Sequence, residues 1–252
     1  MEERLYDMIF KRKSFHLFRN VGNESFSKEE LEEIGQVWSK LDPLCPEIRT
    51  AIRILPGQDT NCKRGEEYCI LMYSELKDNY LANIGYLGEQ LDLYLVSKDI
   101  GTLWFGIGKS DEKVYDGLDF VIMIAIRKID AASKFRKDMF KSKRKELDEI
   151  WKGETIEGVS EIIRFAPSAC NSQPWLIENK GEELSVYRYR KAGKRGIMPA
   201  NMVAFYNRID MGIILCFLEL CLSKKGIEFE RKMYVDEGND EELNLNAVYV
   251  LK

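Results

Sequence analysis

The order of elements along this chain repeats, and that repetition limits the fold more than any single motif does. Residues 1–13 predict an amphipathic helix with Leu5, Met8 and Ile9 on one side. "SFSKEELEEIGQVWSKL" predicts a second helix, with Ser27 and Glu30 spaced as a capping box. Strands follow at 48–55 and 66–75, then a long helix over 83–101 and two extended segments, "TLWFGIG" and "LDFVIMIAIRK". After a basic stretch read as a linker with helical turns, the order returns. Helix "TIEGVSEIIRFA" precedes strands "WLIENK" and "ELSVYRYRK", and a long helix over 207–226 precedes "IEFERKMYV" and "NLNAVYVLK". Both long helices run into related phrases, "SKDIG" and "SKKG", where glycine supplies the left-handed stop. Agreement in order, helix length and termination predicts an internal duplication, although helix–strand–strand units also recur by chance in α+β proteins. The first repeat would be 1–150 with its basic linker, the second 151–252. Such a tandem pair carries the symmetry of a homodimer within one chain.

Composition removes several classes of chemistry. At 252 residues and a net charge of −4, the chain has a sizeable core and no global bias toward nucleic acid. The amino terminus is charged from its second residue and shows no signal-peptide pattern; the longest apolar stretch is broken by Glu219. These features predict a cytoplasmic protein without a membrane partner. Six cysteines form no CxxC, which predicts reduced thiols, with Cys216 and Cys221 in the core. His16 is the single histidine, so no HExxH or HxE zinc pattern exists, and no GxSxG elbow or GxxxxGK[ST] phosphate loop accompanies it.

Two short segments carry candidate chemistry. In "FKRKSFHLF", Arg12, Ser14 and His16 alternate after the first helix, which places them on one side of an extended exit. Arginine with serine suits a phosphate; a solvated basic turn is the plainer alternative. In "RFAPSACNSQPW", Pro167 stops a helix by removing a backbone donor, Ser168, Asn171, Ser172 and Gln173 follow as polar groups, and Ala169 and Cys170 are small enough to let a flat ring come close. Ordinary turns also have this composition. The basic stretch 134–145 lacks the aromatic or groove-reading elements of a nucleic-acid surface.

Taken together, "KRKSFHLF" and "APSACNSQPW" resemble the "RRSxRxF"-like and "APSxxNxQPW" motifs of the FMN-dependent nitroreductase family, in its pseudo-dimeric "putative TM nitroreductase" branch. "IGTLWFG" (100–106) resembles the segment after that family's long helix, and "KSKRKELDEI" (141–150) its basic carboxy-terminal segment. The resemblance implies an α+β, nitroreductase-like fold. Two α-β-β-α-β-β halves would form a pseudo-dimer around a central helical interface. The first half keeps the Arg/Ser motif but has "VWSKLDPLCPEIR" where Pro-Ser/Asn belongs; the second keeps Pro-Ser/Asn alone. One composite flavin site per chain is the implication, its twin having been lost.

The same resemblance implies residue roles. Arg12, with Lys143 and Lys145 or alternatively Arg144, would neutralise the FMN phosphate, with Lys13 beside them. Ser14 would bond the ribityl or phosphate region. His16 stands where the family carries a cation near the flavin pyrimidine, and an imidazole serves there only when protonated. Backbone from Leu103 and Trp104 to Gly106 would approach flavin N5. Pro167, Ser168, Ala169 and Asn171 would pack on FMN, Gln173 would fix its loop, and Trp175 would fill core. The implied activity is NADH- or NADPH-dependent hydride transfer through flavin to a small-molecule acceptor such as a nitroaromatic or quinone, by a monomer acting as a pseudo-dimer. A flavin carrier or sensor with little turnover, and a degenerate cofactor-free domain, are the alternatives.

Overall fold

Two antiparallel-rich sheets and a central pair of apolar helices organise the chain. A computed structural model describes residues 2–139, 143–191, 196–236 and 242–252. In chain order the regular elements are α1 (Glu2–Lys11), α2 (Lys28–Trp38), β1 (Thr50–Pro56), β2 (Tyr68–Ser74), α3 (Tyr80–Ser97) and β3 (Ile100–Phe105). They continue with β4 (Val114–Tyr115), β5 (Leu118–Lys128), α4 (Leu147–Ile150), β6 (Trp151–Lys152) and α5 (Ser160–Ile163). The chain ends with β7 (Trp175–Asn179), β8 (Glu183–Tyr189), α6 (Val203–Lys224), β9 (Phe229–Met233) and β10 (Leu243–Leu251). The first sheet has the order β1-β2-β5-β3 with β4 on β5, the second β6-β7-β8-β10-β9. Apart from the short parallel β6–β7 pair, the ladders are antiparallel. Leaving β4 and β6 aside, each sheet places its strands first, second, fourth, third.

The long helices α3 and α6 lack a polar stripe because they are buried nearly all round, α3 from Leu81 to Leu93 and α6 from Ile209 to Leu218 without a break. Their closest approach needs glycine. A Cβ on Gly85 would overlap the carbonyl oxygen of Ile209, and a Cβ on Gly212 would overlap that of Ala82. One apolar core runs from β2 and β5 through α3 and α6 to β7, β8 and β10. The first sheet also buries its far face: along β2, Ile70 and Met72 join this core, while Cys69, Leu71 and Tyr73 join a second one with Phe15 and Phe18. Cys216 and Cys221 are buried, as the sequence predicts.

Some boundaries differ from expectation. The predicted helix 155–166 contracts to Ser160–Ile163, because Gly158 at φ 74° breaks the helical path before it. Among its described residues the basic linker shows a 3₁₀ turn, Ala132–Lys134, and the short helix α4, Leu147–Ile150; its residues 140–142 lie outside the described residues. The capping box forms as read: Glu30 N–H donates to Ser27 Oγ at 3.2 Å, and Ser27 N–H to Glu30 Oε2 at 2.7 Å.

Candidate functional site

The amino-terminal arm leaves α1 as an extended segment and joins the first sheet. Ser14 bridges Thr102 in parallel register, and Phe15 N–H donates to Thr102 O at 2.9 Å. Phe15 enters the second core, so the flanking Ser14 and His16 face the other way. Both line a cavity of ≈ 270 Å³. Leu103, Trp104 and Gly106 from β3 and its exit line it too, as do Pro167, Ser168 and Ala169 from the corner after α5. Ile122, Ile209 and Ile213 supply aliphatic wall, so an apolar slot carries a few polar groups at its edge.

The corner is tightly determined. Cys170, Asn171 and Gln173 sit at φ 50°, 57° and 47°, in the left-handed region that non-glycine residues seldom occupy. Three bonds hold them there. Gln173 N–H donates to Ser168 Oγ at 2.9 Å, Ala169 N–H to Asp210 Oδ1 at 2.9 Å, and Lys145 N–H to Gln173 Oε1 at 2.9 Å. Gln173 thus ties the corner to Ser168 and to the segment before α4. Trp175 is fully buried core. On the opposite side, Tyr206 Oη donates to Gly106 O at 2.7 Å, tying the start of α6 to the end of β3.

Six residues expected at the cofactor, Arg12, Lys13, Lys143, Lys145, Asn171 and Gln173, do not line this cavity. Arg12 is buried, and its Nε lies 2.8 Å from Asp92 Oδ2 and 3.4 Å from Glu89 Oε1. Burial alone would lower its pKa, but the two carboxyls prevail and hold it raised. Asp92 also accepts from Thr102 Oγ1 at 2.6 Å and Trp104 Nε1 at 3.0 Å, which joins arm, α3 and β3 at one carboxylate. A buried guanidinium takes the nearest buried anion, so Arg12 serves this hub first. Lys143, Arg144 and Lys145 line a second cavity of ≈ 600 Å³ together with Asn171 and Gln173. The Lys145 ammonium is bonded to Gln173 O at 3.0 Å and lies over the Tyr189 ring. Lys13 lies over the Phe15 ring, and burial, then Lys134 and Arg136, lower its pKa.

The basic cluster that does form is different in membership. Arg144 is the side chain drawn inward: it donates to Asn171 Oδ1 at 2.6 Å and Phe165 O at 3.2 Å, gripping both flanks of the Pro167 corner. Burial, with Arg136, Arg12 and Arg164 around it, pushes its pKa down to about 10. Burial, then Arg12, lowers Arg136 as well. Guanidiniums that depress one another form a site short of negative charge.

Several of these residues were not singled out from sequence. Arg64, Tyr206 and Asp210 line the cavity, and Arg136 joins the cluster through a fold contact invisible in the linear chain, Arg136 N–H to Lys11 O at 3.0 Å. Asp210 had a legible signal, a carboxylate inside an apolar helix; burial pushes its pKa up to about 8. Away from the cavity, Cys62, Glu66 and Cys69 bring two thiols and a carboxylate within 4.8 Å of one another. Among the described residues, no helix is long and apolar enough to cross a membrane.

A family model described as "Putative TM nitroreductase" matches residues 4–222. A structure described as a putative nitroreductase from Thermotoga maritima MSB8 is 18% identical, covers 98% of this chain and 93% of its own, and superposes with a TM-score of 0.64. A nitroreductase with bound FMN from Desulfitobacterium hafniense DCB-2 is 15% identical over 58% of this chain and 100% of its own, with a TM-score of 0.41. A nitroreductase-like family protein from Bacillus cereus is 15% identical over 61% of this chain and 96% of its own, at 0.40. No curated protein matches the chain.

Proposed function

Because the chain belongs to the "Putative TM nitroreductase" family, we propose that it is an FMN-dependent NAD(P)H oxidoreductase with one composite flavin site. The observation that carries this reading is the shared cavity: Ser14 and His16 from the arm line the same space as Pro167, Ser168 and Ala169 from the corner. The residues present fit the cofactor on two counts. Arg12 Nη2 and Arg144 Nε are buried with no hydrogen-bond partner among the described residues, in a cationic cluster that a phosphate dianion would complete. The cavity's aliphatic walls and narrow polar rim suit a flat heterocycle.

In this reading Arg144 and Arg136, with Arg12 behind them, hold the phosphate, and Asn171 orients Arg144. Ser14 and Ser168 offer hydroxyls at the rim, and His16 faces the ring's polar edge. Leu103, Trp104 and Gly106 form the opposite wall, and the Tyr206–Gly106 bond fixes its end. Bound FMN would supply reversible hydride transfer at N5, from NADH or NADPH to a nitroaromatic, quinone or similar acceptor. The protein's part is to bind, orient and exclude water.

The single site follows from an internal duplication, 1–150 and 151–252, working as a monomeric pseudo-dimer. Matching strand orders and reciprocal glycines support it. So does the first half's counterpart of the corner, Pro43-Leu44-Cys45. Cys45 N–H donates to Asn83 Oδ1 at 3.1 Å, as Ala169 N–H does to Asp210. Nine residues beyond Asn83 stands Asp92; nine beyond Asp210 stands Glu219, also a hub, bonded by Tyr86, Tyr249 and Arg231. Arg231 extends on to Leu44 O, so a side chain takes the space of the lost twin. Oxidation of NADH or NADPH by purified, FMN-loaded protein, dependent on a nitroarene or quinone, tests the function. Protein that takes up no flavin would exclude it.

A further inference from the structure

We infer that Asp210 is the proton donor of the cavity, recharged through Ser172 from the neighbouring polar cavity. The inference rests on the reading above, and it concerns a step that reading leaves open. Each hydride accepted by a quinone must be joined by one proton to give the hydroquinone. Each hydride accepted by a nitro group must likewise be joined by one proton to give a nitroso group and water. The electron pair comes from NAD(P)H by way of the flavin; the extra proton must come from the protein or solvent.

The duplication provides an internal control on what position 210 is for. Behind each proline corner, one α-helical side chain accepts a backbone N–H: Asp210 from Ala169 at 2.9 Å, Asn83 from Cys45 at 3.1 Å. Asn83 does this with a neutral amide, so the fold needs an acceptor oxygen and no ionisable group. The half that holds the cavity has a carboxyl instead, and that carboxyl lines the cavity while remaining 97% shielded overall (3% exposed). Its second oxygen faces the Ser172 hydroxyl at 3.5 Å, and Ser172 also bonds Asn207 Oδ1 at 3.2 Å. Ser172 in turn lines the ≈ 600 Å³ cavity bounded by Lys143, Glu149 and Glu242. The wall between an apolar slot and a more polar cavity is therefore crossed by two groups able to pass a proton. Ile48 and Tyr80 occupy the corresponding sequence positions of the first half, so the hydroxyl of Ser172 and the amide of Asn207 are found only beside the cavity.

The charged and titratable groups around Asp210 agree with this role. The arm presents His16, the β1–β2 connection Arg64, the corner Cys170, and α6 itself Tyr206 one turn earlier. α3 meets α6 here through Gly85 and carries Glu89 one turn beyond. Burial is the dominant cause that raises Asp210 to about 8, with Ala169 N–H and Ser172 opposing it. A carboxyl that keeps its proton at neutrality is suited to donate it.

The step is the transfer of the Asp210 carboxyl proton to the acceptor's oxygen as the hydride arrives. The carboxylate left behind is reprotonated through Ser172.

Three measurements on the full chain test this. In the cofactor-free protein, stability should fall as pH rises from about 4 to about 8, because the unfolded chain loses a proton that folded Asp210 keeps. Asp210→Asn should remove that part of the slope while folding normally. In the FMN-loaded protein, the rate of acceptor reduction should decline above about pH 8. Asp210→Asn should lower the rate below that pH by about tenfold or more and abolish the inflexion. Ser172→Ala should slow turnover several-fold and keep the inflexion. An unchanged pH profile in Asp210→Asn, with FMN still bound, overturns the donor role and leaves the flavin reading intact. Failure to bind FMN at all overturns both.

Discussion

Gly85 and Gly212 hold reciprocal places at the crossing of α3 and α6: each faces the carbonyl oxygen of the residue three positions before the other. Ile209 precedes Gly212 by three, and Ala82 precedes Gly85 by three. The proposed internal duplication would give this reciprocity, the same patch meeting itself within one chain. Because the obstructing atoms are backbone, an added methyl cannot be absorbed by a rotamer change. Gly85→Ala and Gly212→Ala are each expected to lower unfolding free energy by about 1–3 kcal/mol or more, to similar extents. Denaturant titration checks this, and a neutral Gly212→Ala would refute the close crossing.

Asp92 and Glu89 both approach Arg12, yet they are expected to behave differently. Asp92 accepts from three donors, while burial holds Glu89 protonated, well above the usual carboxylate range. Asp92→Asn strands a buried guanidinium and should cost about 3–5 kcal/mol. Glu89→Gln should fall within about 1 kcal/mol of the parent in mildly acidic solution. Above the carboxylate range the unfolded chain releases a proton that folded Glu89 retains, so this group makes the parent less stable as pH rises. Glu89→Gln should remove that contribution. Equal damage from both variants would show that the two carboxyls share the charge.

Arg144 separates anion binding from stability. Because Arg136, Arg12 and Arg164 crowd it, Arg144→Gln should leave the cofactor-free protein as stable as the parent or more so. FMN affinity should nonetheless fall about tenfold or more, the worth of a charge-assisted bond to phosphate. Lys143→Ala should change affinity less than about twofold, since that side chain is exposed, whereas Arg144 is held against the corner by Asn171 and Phe165. Calorimetric titration with FMN distinguishes these, and the reverse ranking would restore the lysines to the phosphate.

Much of the fold is legible in the sequence where periodicity and capping speak together. β5 spans Leu118–Lys128, the segment outlined by its apolar run, and the Ser27–Glu30 box marks the start of α2. α3 and α6 start at Tyr80 and Val203, several residues before the 83 and 207 that the pattern predicts, because neither has a side-chain cap to announce it; Asn79 enters α3 from the left-handed region. The site was legible as two motifs, and the structure brings Ser14 and His16 to Pro167, Ser168 and Ala169. The destination of Arg12 was not legible. Its choice of Asp92 depends on which buried carboxyl the arm meets, a distance no spacing of residues encodes. Arg136, and the partners of Ser172, were hidden for the same reason: their neighbours are remote in sequence.

The stoichiometry of flavin in the intact protein bears most directly on the account. Quantifying FMN released from fully loaded protein, against chain concentration by amino-acid analysis, should give one per chain, with near-complete loss in Arg144→Gln at micromolar concentration. Two per chain would mean that the space beside Arg231 and Leu44 is a working second site, and none would mean that the cavity between Ser14 and Pro167 serves something other than flavin.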